Sequence, residues 1–180
     1  VKIVKELPVV EIAPGLYDTR QNASGIIRIK VKGNRGSSIC LRPSEVLREG
    51  KIYQRSAPDY EWKYTLSGDE QGEMWMPQFT YTGFRFLEVH ADPGVEIQEL
   101  SALHTTNESG ETGSFECSDM LFNNIHSLID WAIRSNMVSI TTDCPHREKL
   151  GWQEENHLMS NSLMYRYDVR SLINKIMDDL

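Results

Sequence analysis

The chain has 180 residues, of which 39% are hydrophobic and 25% charged, and a formal net charge of −7. These proportions are globular and exclude a wholly disordered or collagen-like chain. The negative balance disfavours a nucleic-acid partner, and the longest uncharged stretches, such as Met137 to Thr142, are far short of the roughly 20 apolar residues that cross a bilayer.

Cys40, Cys117 and Cys144 are widely spaced with no CxxC pair, which argues against a zinc ribbon or a disulfide framework and leaves the redox compartment open. The chain starts at Val1 and shows no charged segment followed by an apolar one, so no signal peptide is visible. Leu180 closes an apolar helical run with nothing to stop it, which favours a piece of something longer.

The chain changes character near residue 115. Before it, the reading is β. In GIIRIKVKG (Gly25 to Gly33), Ile27, Ile29 and Val31 alternate with Arg28, Lys30 and Lys32, the period of a strand with one wet face. Ser37 to Leu41 repeats this briefly. Tyr60 to Leu66 is aromatic and ends at the turn cluster Ser67-Gly68-Asp69. Phe79 to Val89 is the strongest strand signal, with Gly83 as a candidate bulge, and Val95 to Thr105 adds another run. Turn residues punctuate at this spacing, Pro58 among them, so the expected architecture is an antiparallel β-sandwich.

Asn107 to Gly113 is polar and Gly-rich, a candidate linker. Ser118 or Asp119 can cap a helix reaching about Asn136, with Leu121, Phe122, Ile125, Leu128, Ile129, Ala132 and Ile133 on one face. An irregular stretch, Val138 to Gly151, precedes helical periodicity over Glu154 to Tyr165. Asp168 can cap a third helix carrying Leu172, Ile173 and Ile176. Three such helices cannot close a core alone, which fits a truncated all-α domain. The expected units are 1–112 (sheet) and 113–180 (helices).

The informative stretch is TTDCPHREKLGWQEENH, residues 141–157. It gathers Asp143, Glu148, Glu154, Glu155, Arg147, Lys149, two histidines and Trp152 between two apolar helices. Connecting loops on rigid scaffolds commonly carry chemistry. A carboxyl beside an aromatic ring has its pKa raised by desolvation, which suits a general acid, and sugar rings pack on indoles. The plain alternative is a solvated charged loop: Glu148 paired with Lys149 or Arg147, Asp143 a cap, Arg147 a clamp on Asp143, Trp152 core.

TDCPHREKLGW resembles the signature DCPQRDERLGWTGD of the α-L-rhamnosidase family of glycoside hydrolases. Tyr17-Asp18 with Gln21-Asn22 and Gly25 resembles that family's YDLGQNxxG, and LRPSEVL (Leu41 to Leu47) its LRHAEVL. PQFTYTGFRFLEV (Pro77 to Val89) resembles PRFTYHGFRYVEV, and TGSFEC (Thr112 to Cys117) its TGSFECS boundary. The matches run in order from about Leu16 to Tyr167.

The resemblance implies a β-sandwich followed by an (α/α)6 barrel, of which only the first helices are present. It implies hydrolysis of terminal α-L-rhamnosyl residues with inversion, in which an acid protonates the leaving oxygen and a second carboxylate, roughly 6.5–9.5 Å away, activates water. With the loop taken as one residue shorter than the commoner form, Glu148 falls on the general acid. Asp143 and Arg147 match substrate-contacting positions, Trp152 matches the motif's Trp, and Glu155 stands where the family usually has Asp, one methylene longer. The family's general base comes from a later barrel helix, beyond this chain. No cofactor is implied; the partner is a rhamnose-containing glycoside or polysaccharide, in a bacterial cytoplasm or periplasm.

Two other classes compete. A non-catalytic carbohydrate-binding sandwich could use Tyr60, Trp62, Tyr64, Trp75, Tyr81 and Phe84 as a platform, although alternation places several in the core. A metal-binding helical protein could use Glu154 and His157, an E-x-x-H pair on one helical face, but only one copy is present. His146 reads as a hydrogen-bonding loop residue and Cys144 as buried.

Overall fold

A computed structural model describes residues 1–54 and 60–179; the turn expected at Pro58 and the closing residue Leu180 lie outside the described residues. Ten strands precede three helices: β1 (Lys2–Leu7), β2 (Val10–Ala13), β3 (Leu16–Lys32), β4 (Ser38–Ser44), β5 (Val46–Arg48), β6 (Lys51–Tyr53), β7 (Trp62–Thr65), β8 (Glu73–Trp75), β9 (Thr82–Ala91), β10 (Glu96–Thr106), α1 (Met120–Asn136), α2 (Gln153–Arg166) and α3 (Arg170–Asp178). The sandwich-like β part followed by helices is the architecture the periodicities predict.

The strand β3 organises the sheet. Its alternation buries Ile27, Ile29 and Val31 completely, while Arg28 and Lys30 stay half-exposed and Lys32 exposed. Each such aliphatic side chain contributes roughly 1.5–3 kcal/mol on burial. One edge of β3 pairs with β2 and then β10, the other with β9 and then β8, all antiparallel. The path runs β1-β10-β3-β9-β4-β7. Leu7 from one end of it and Trp62 from the other belong to the same buried cluster, with Phe84, Leu87 and Leu41 between them, so the sheet curls around a single core. The β5–β6 hairpin stands apart as a second, two-stranded sheet.

The sheet's irregularity lies on β3, and this corrects the bulge expected at Gly83. Gly83 pairs in register with Ser24, whereas between the pairs Asp18–Phe86 and Ala23–Phe84 the residues Thr19 to Asn22 face Arg85 alone. Arg20 within this excursion has φ 63°. The buried Asp18 carboxylate holds it: it accepts from Arg85 Nε and Nη2 at 2.9 and 3.0 Å and from the Arg20 amide at 2.7 Å. A bidentate guanidinium fixes geometry as well as charge, and the Arg85 hydrogen bonds keep the Asp18 carboxyl below its ordinary range.

The predicted turn at Ser67-Gly68-Asp69 is closed by a carboxylate. Glu73 accepts from the Ser67 and Gly68 amides at 2.8 Å each and from Tyr64 Oη at 2.6 Å. Gly68 has φ 88°, where a Cβ would strike the Arg35 backbone.

Helix α1 starts at Asp119, whose side chain accepts from the Leu121 amide at 2.8 Å, the cap read from the sequence. It docks on the sheet through Trp131, whose ring lies 5.3 Å from that of the buried His104, and through Ser135, whose Oγ accepts from the Ser24 amide at 3.2 Å. The apolar stripe itself mostly faces outward: Leu121, Phe122, Ile125, Leu128 and Ile129 are exposed, and only Ile133 is buried. Ile133 joins Met137, Leu163, Tyr167, Leu172 and Ile176 in a small helical core. At α3 the cap differs from expectation. Val169 occupies the cap position, while Asp168 instead holds the Arg170 guanidinium at 2.9 Å by two hydrogen bonds.

The linker is tied down at both ends. Asn107 N donates to Met137 O at 2.6 Å and Thr112 N to Arg166 O at 2.9 Å. Between them Glu111 pairs with Arg134 and Arg166, and Asp130 accepts from both of these arginines and from Tyr167 Oη.

Candidate functional site

The stretch 137–152 leaves α1 and returns to α2 as a closed loop. Met137 bridges to Thr141. Asp143 then closes an inner turn: its amide donates to Leu150 O at 3.0 Å, and its Oδ1 accepts from Leu150 N at 2.9 Å. Within that turn the Glu148 amide donates to the Cys144 sulfur at 3.2 Å, and Cys144, half-buried, is a free thiol. Burial pushes the Asp143 carboxyl up, but the Leu150 amide and the Cys144 groups outweigh it, so Asp143 stays below the usual carboxylate range and ionised.

Asp143 and Glu155 both line an open cleft of about 420 Å3 between α1 and α2. Ile129, Ile133, Met159 and Leu163 make the rest of it largely apolar. Burial raises the Glu155 carboxyl, and the nearby charges of Asp143, Glu148 and Glu154 raise it further. The two carboxyls that line this cleft are thus shifted in opposite directions, Asp143 down and Glu155 up.

Arg147, Glu148 and Trp152 lie outside that lining. Glu148 is at the surface, where its Oε1 accepts from Arg147 Nη2 at 2.7 Å. Arg147 is likewise exposed and gives this hydrogen bond to Glu148, the ion pair of the plain reading. The Trp152 side chain is also exposed, at the N-cap of α2. The structure therefore brings Asp143 and Glu155 into one cleft and leaves Arg147, Glu148 and Trp152 exposed, outside its lining.

Sequence reasoning missed what holds the loop in place. Pro145 O accepts from the Gly83 amide at 2.7 Å. The buried His146 faces Glu45, Nδ1 to Oε2 at 3.3 Å, and Glu45 Oε1 accepts from Asn22 Nδ2 at 3.0 Å. Lys149 Nζ donates to Tyr81 O at 2.8 Å and lies over the Tyr81 and Tyr60 rings, 5.0 and 5.4 Å from their centroids. The signal was present. Asn22, Glu45, Tyr81 and Gly83 each belong to a quoted motif far apart in the sequence, and all four meet at this loop.

The competing readings are also placed. Trp62 and Phe84 are buried in the sheet core and Tyr64 stacks on Trp75 at 5.2 Å, so this part of the aromatic set packs internally. Glu154 and His157 are exposed, and among the described residues no group of three or more His, Cys, Asp or Glu side chains is arranged to hold a metal. Among the described residues, no helix is long and apolar enough to cross a membrane.

Comparison with known proteins finds two matching family models along the chain. Residues 13–106 match the bacterial alpha-L-rhamnosidase concanavalin-like domain, and residues 110–180 the bacterial alpha-L-rhamnosidase 6 hairpin glycosidase domain. An alpha-L-rhamnosidase of Formosa agariphila is 34% identical over 92% of this chain, and one of Streptomyces avermitilis 36% identical over all of it. This chain spans 18% of the length of each. Among solved structures, the alpha-L-rhamnosidase from Dictyoglumus thermophilum aligns over 99% of this chain and 21% of its own, with 31% identity and a TM-score of 0.87. The Streptomyces avermitilis enzyme complexed with L-rhamnose aligns over 97% of this chain and 18% of its own, with 34% identity and a TM-score of 0.85. By sequence and by fold, across both its sheet and its helices, the chain belongs to the bacterial α-L-rhamnosidase family of glycoside hydrolases.

Proposed function

We propose that the chain is the acid-bearing portion of an inverting α-L-rhamnosidase, with a sheet unit over 1–112 and the opening helices of the catalytic barrel over 113–180. Glu148 is the general acid that gives its proton to the glycosidic oxygen. Asp143, Arg147, Trp152 and Glu155 contact the rhamnose. The observation that carries this reading is that Asp143 and Glu155 line one cleft, with Glu148 near enough for its charge to raise the Glu155 carboxyl. It is joined to a relative whose structure holds L-rhamnose.

Inversion needs a second carboxylate to activate water, roughly 6.5–9.5 Å from the acid. In this reading that base lies on a later helix, so the chain alone binds the sugar without turning it over. The substrates are rhamnose-containing glycosides or polysaccharides, and the two-carboxylate scheme calls for no cofactor.

Two measurements on the purified chain test this. L-rhamnose should quench its tryptophan fluorescence, and the quenching should vanish in Trp152→Phe. p-Nitrophenyl α-L-rhamnoside should not be hydrolysed. Quenching lost instead in Trp62→Phe or Trp75→Phe would move the sugar to the sheet, and hydrolysis abolished by Glu148→Gln would overturn the missing base.

A further inference from the structure

We infer that Lys149 is a positioning residue: its ammonium, held under the Tyr60 and Tyr81 rings and bound to Tyr81 O, makes the β-sheet set the place of the neighbouring Glu148. The functional meaning of this rests on the reading of Glu148 as the acid; the anchoring itself does not.

Lys149 has φ 53°, a left-handed conformation that side-chain-bearing residues rarely adopt. Such strain persists where surrounding contacts over-determine it. Here the contacts come from the side chain. Lys149 is only half-exposed, and burial lowers its pKa, so the group gives up hydration to sit where it does. What replaces the water is the Tyr81 carbonyl at 2.8 Å and two aromatic faces, a cation–π arrangement that gains strength as it is desolvated.

The location gives the anchor its leverage. Lys149 lies between Glu148, whose amide is held by Cys144, and Leu150, which closes the turn onto Asp143. Its partner Tyr81 immediately precedes β9, and Tyr60 stands two residues before β7. Gly83 to Pro145 and Glu45 to His146 fix the other limb of the same turn. With both limbs fixed to the sheet, the exposed Glu148 projects from a backbone that it does not itself hold.

The test uses the isotope-labelled chain with Lys149→Asn and Lys149→Arg, read by amide hydrogen exchange. Asn tolerates the left-handed backbone but lacks the cation; Arg keeps the cation and its affinity for aromatic faces. The expected result is that Lys149→Asn speeds exchange at the Glu148 and Leu150 amides at least tenfold while Ile27 and Ile29 in β3 are unchanged. Lys149→Arg should restore the loop amides to within about threefold. Tyr60→Leu, which leaves the lysine and its hydrogen bond, should loosen the same amides by a smaller factor. Unchanged loop exchange in Lys149→Asn, equal loosening in Lys149→Arg, or loosening that spreads equally to β3 would overturn the proposal. None of these readouts uses turnover, so a failed anchor and a failed acid assignment are told apart.

Discussion

Gly83 and Pro145 are joined more closely than any side chain would allow: the Gly83 amide donates to the Pro145 carbonyl at 2.7 Å, and a Cβ on residue 83 would lie 2.6 Å from the Pro145 ring. The sheet and the acidic loop meet at this point. Gly83→Ala should therefore cost about 1–3 kcal/mol, the range of overpacking. Urea denaturation should show a lower midpoint with an unchanged slope, and loop amides should exchange faster than those of β3. A midpoint equal to that of the parent chain would mean that the loop shifts without cost.

Glu73 makes a pH-dependent contribution. Burial pushes its carboxyl up, but the Tyr64 hydroxyl and the Ser67 and Gly68 amides pull it down to about 2, from an ordinary 4.5. A depressed folded pKa gives stability that is fully present above the unfolded value and lost as pH falls through the folded one. The contribution should therefore fade between about pH 4.5 and 2. Glu73→Gln should lower stability by about 1–3 kcal/mol at pH 7, as expected for hydrogen bonds to a charged group. The gap between the two proteins should close as pH drops towards 2. A gap that stays constant with pH would assign the effect to packing.

Asp130 joins α1 to the end of α2 through Arg166 at 2.9 Å and the Tyr167 hydroxyl, and also accepts from Arg134 on its own helix at 3.0 Å. Burial and the hydrogen bond to Asp130 push the Tyr167 phenol up to about 12. Removing the carboxylate leaves the two half-buried guanidinium groups with Glu111 as their shared acidic partner. Asp130→Ala should destabilise the chain by about 1–3 kcal/mol, the range for hydrogen bonds to charged groups, since Glu111 still pairs with both arginines. The Tyr167 phenol should then titrate lower, followed by its ultraviolet absorbance. A loss below about 1 kcal/mol would place the cluster with exposed surface pairs.

The outward face of α1 exposes Leu121, Phe122, Ile125, Leu128 and Ile129. Contiguous apolar surface of this kind drives association. Sedimentation of the purified chain should show concentration-dependent oligomers, and Leu121→Glu with Leu128→Glu should shift it towards monomer without lowering the unfolding midpoint. A stable monomer at high concentration would contradict this.

Local pattern carried much of the fold. The alternation of Ile27, Ile29 and Val31 located β3, and Asp119 located the start of α1, because each depends on neighbours in sequence. The first half of β3 and its bulge were not legible, because Asp18 and Thr19 are held there by Arg85, far along the chain. Strands β1, β2, β5, β6 and β8 are short or exposed and show little alternation. Helical periodicity found the stripe on α1 but could not say that it faces outward, since periodicity shows that an apolar face exists and not what covers it. At the site, residues 143–155 were legible as a motif. Their supports, Asn22, Glu45, Tyr81 and Gly83, became a group only once the fold brought them together.

The central claim is that Glu148 is the proton donor. Its most direct test is turnover of a rhamnoside with a poor leaving group by the parent enzyme, meaning this chain together with the barrel it is proposed to open, with Glu148 and with Glu148→Gln. The account predicts that kcat falls by about 10²–10⁴-fold, the usual worth of a positioned acid, while L-rhamnose binding and the unfolding midpoint are kept. A Glu148→Gln enzyme retaining kcat within a few-fold would contradict it.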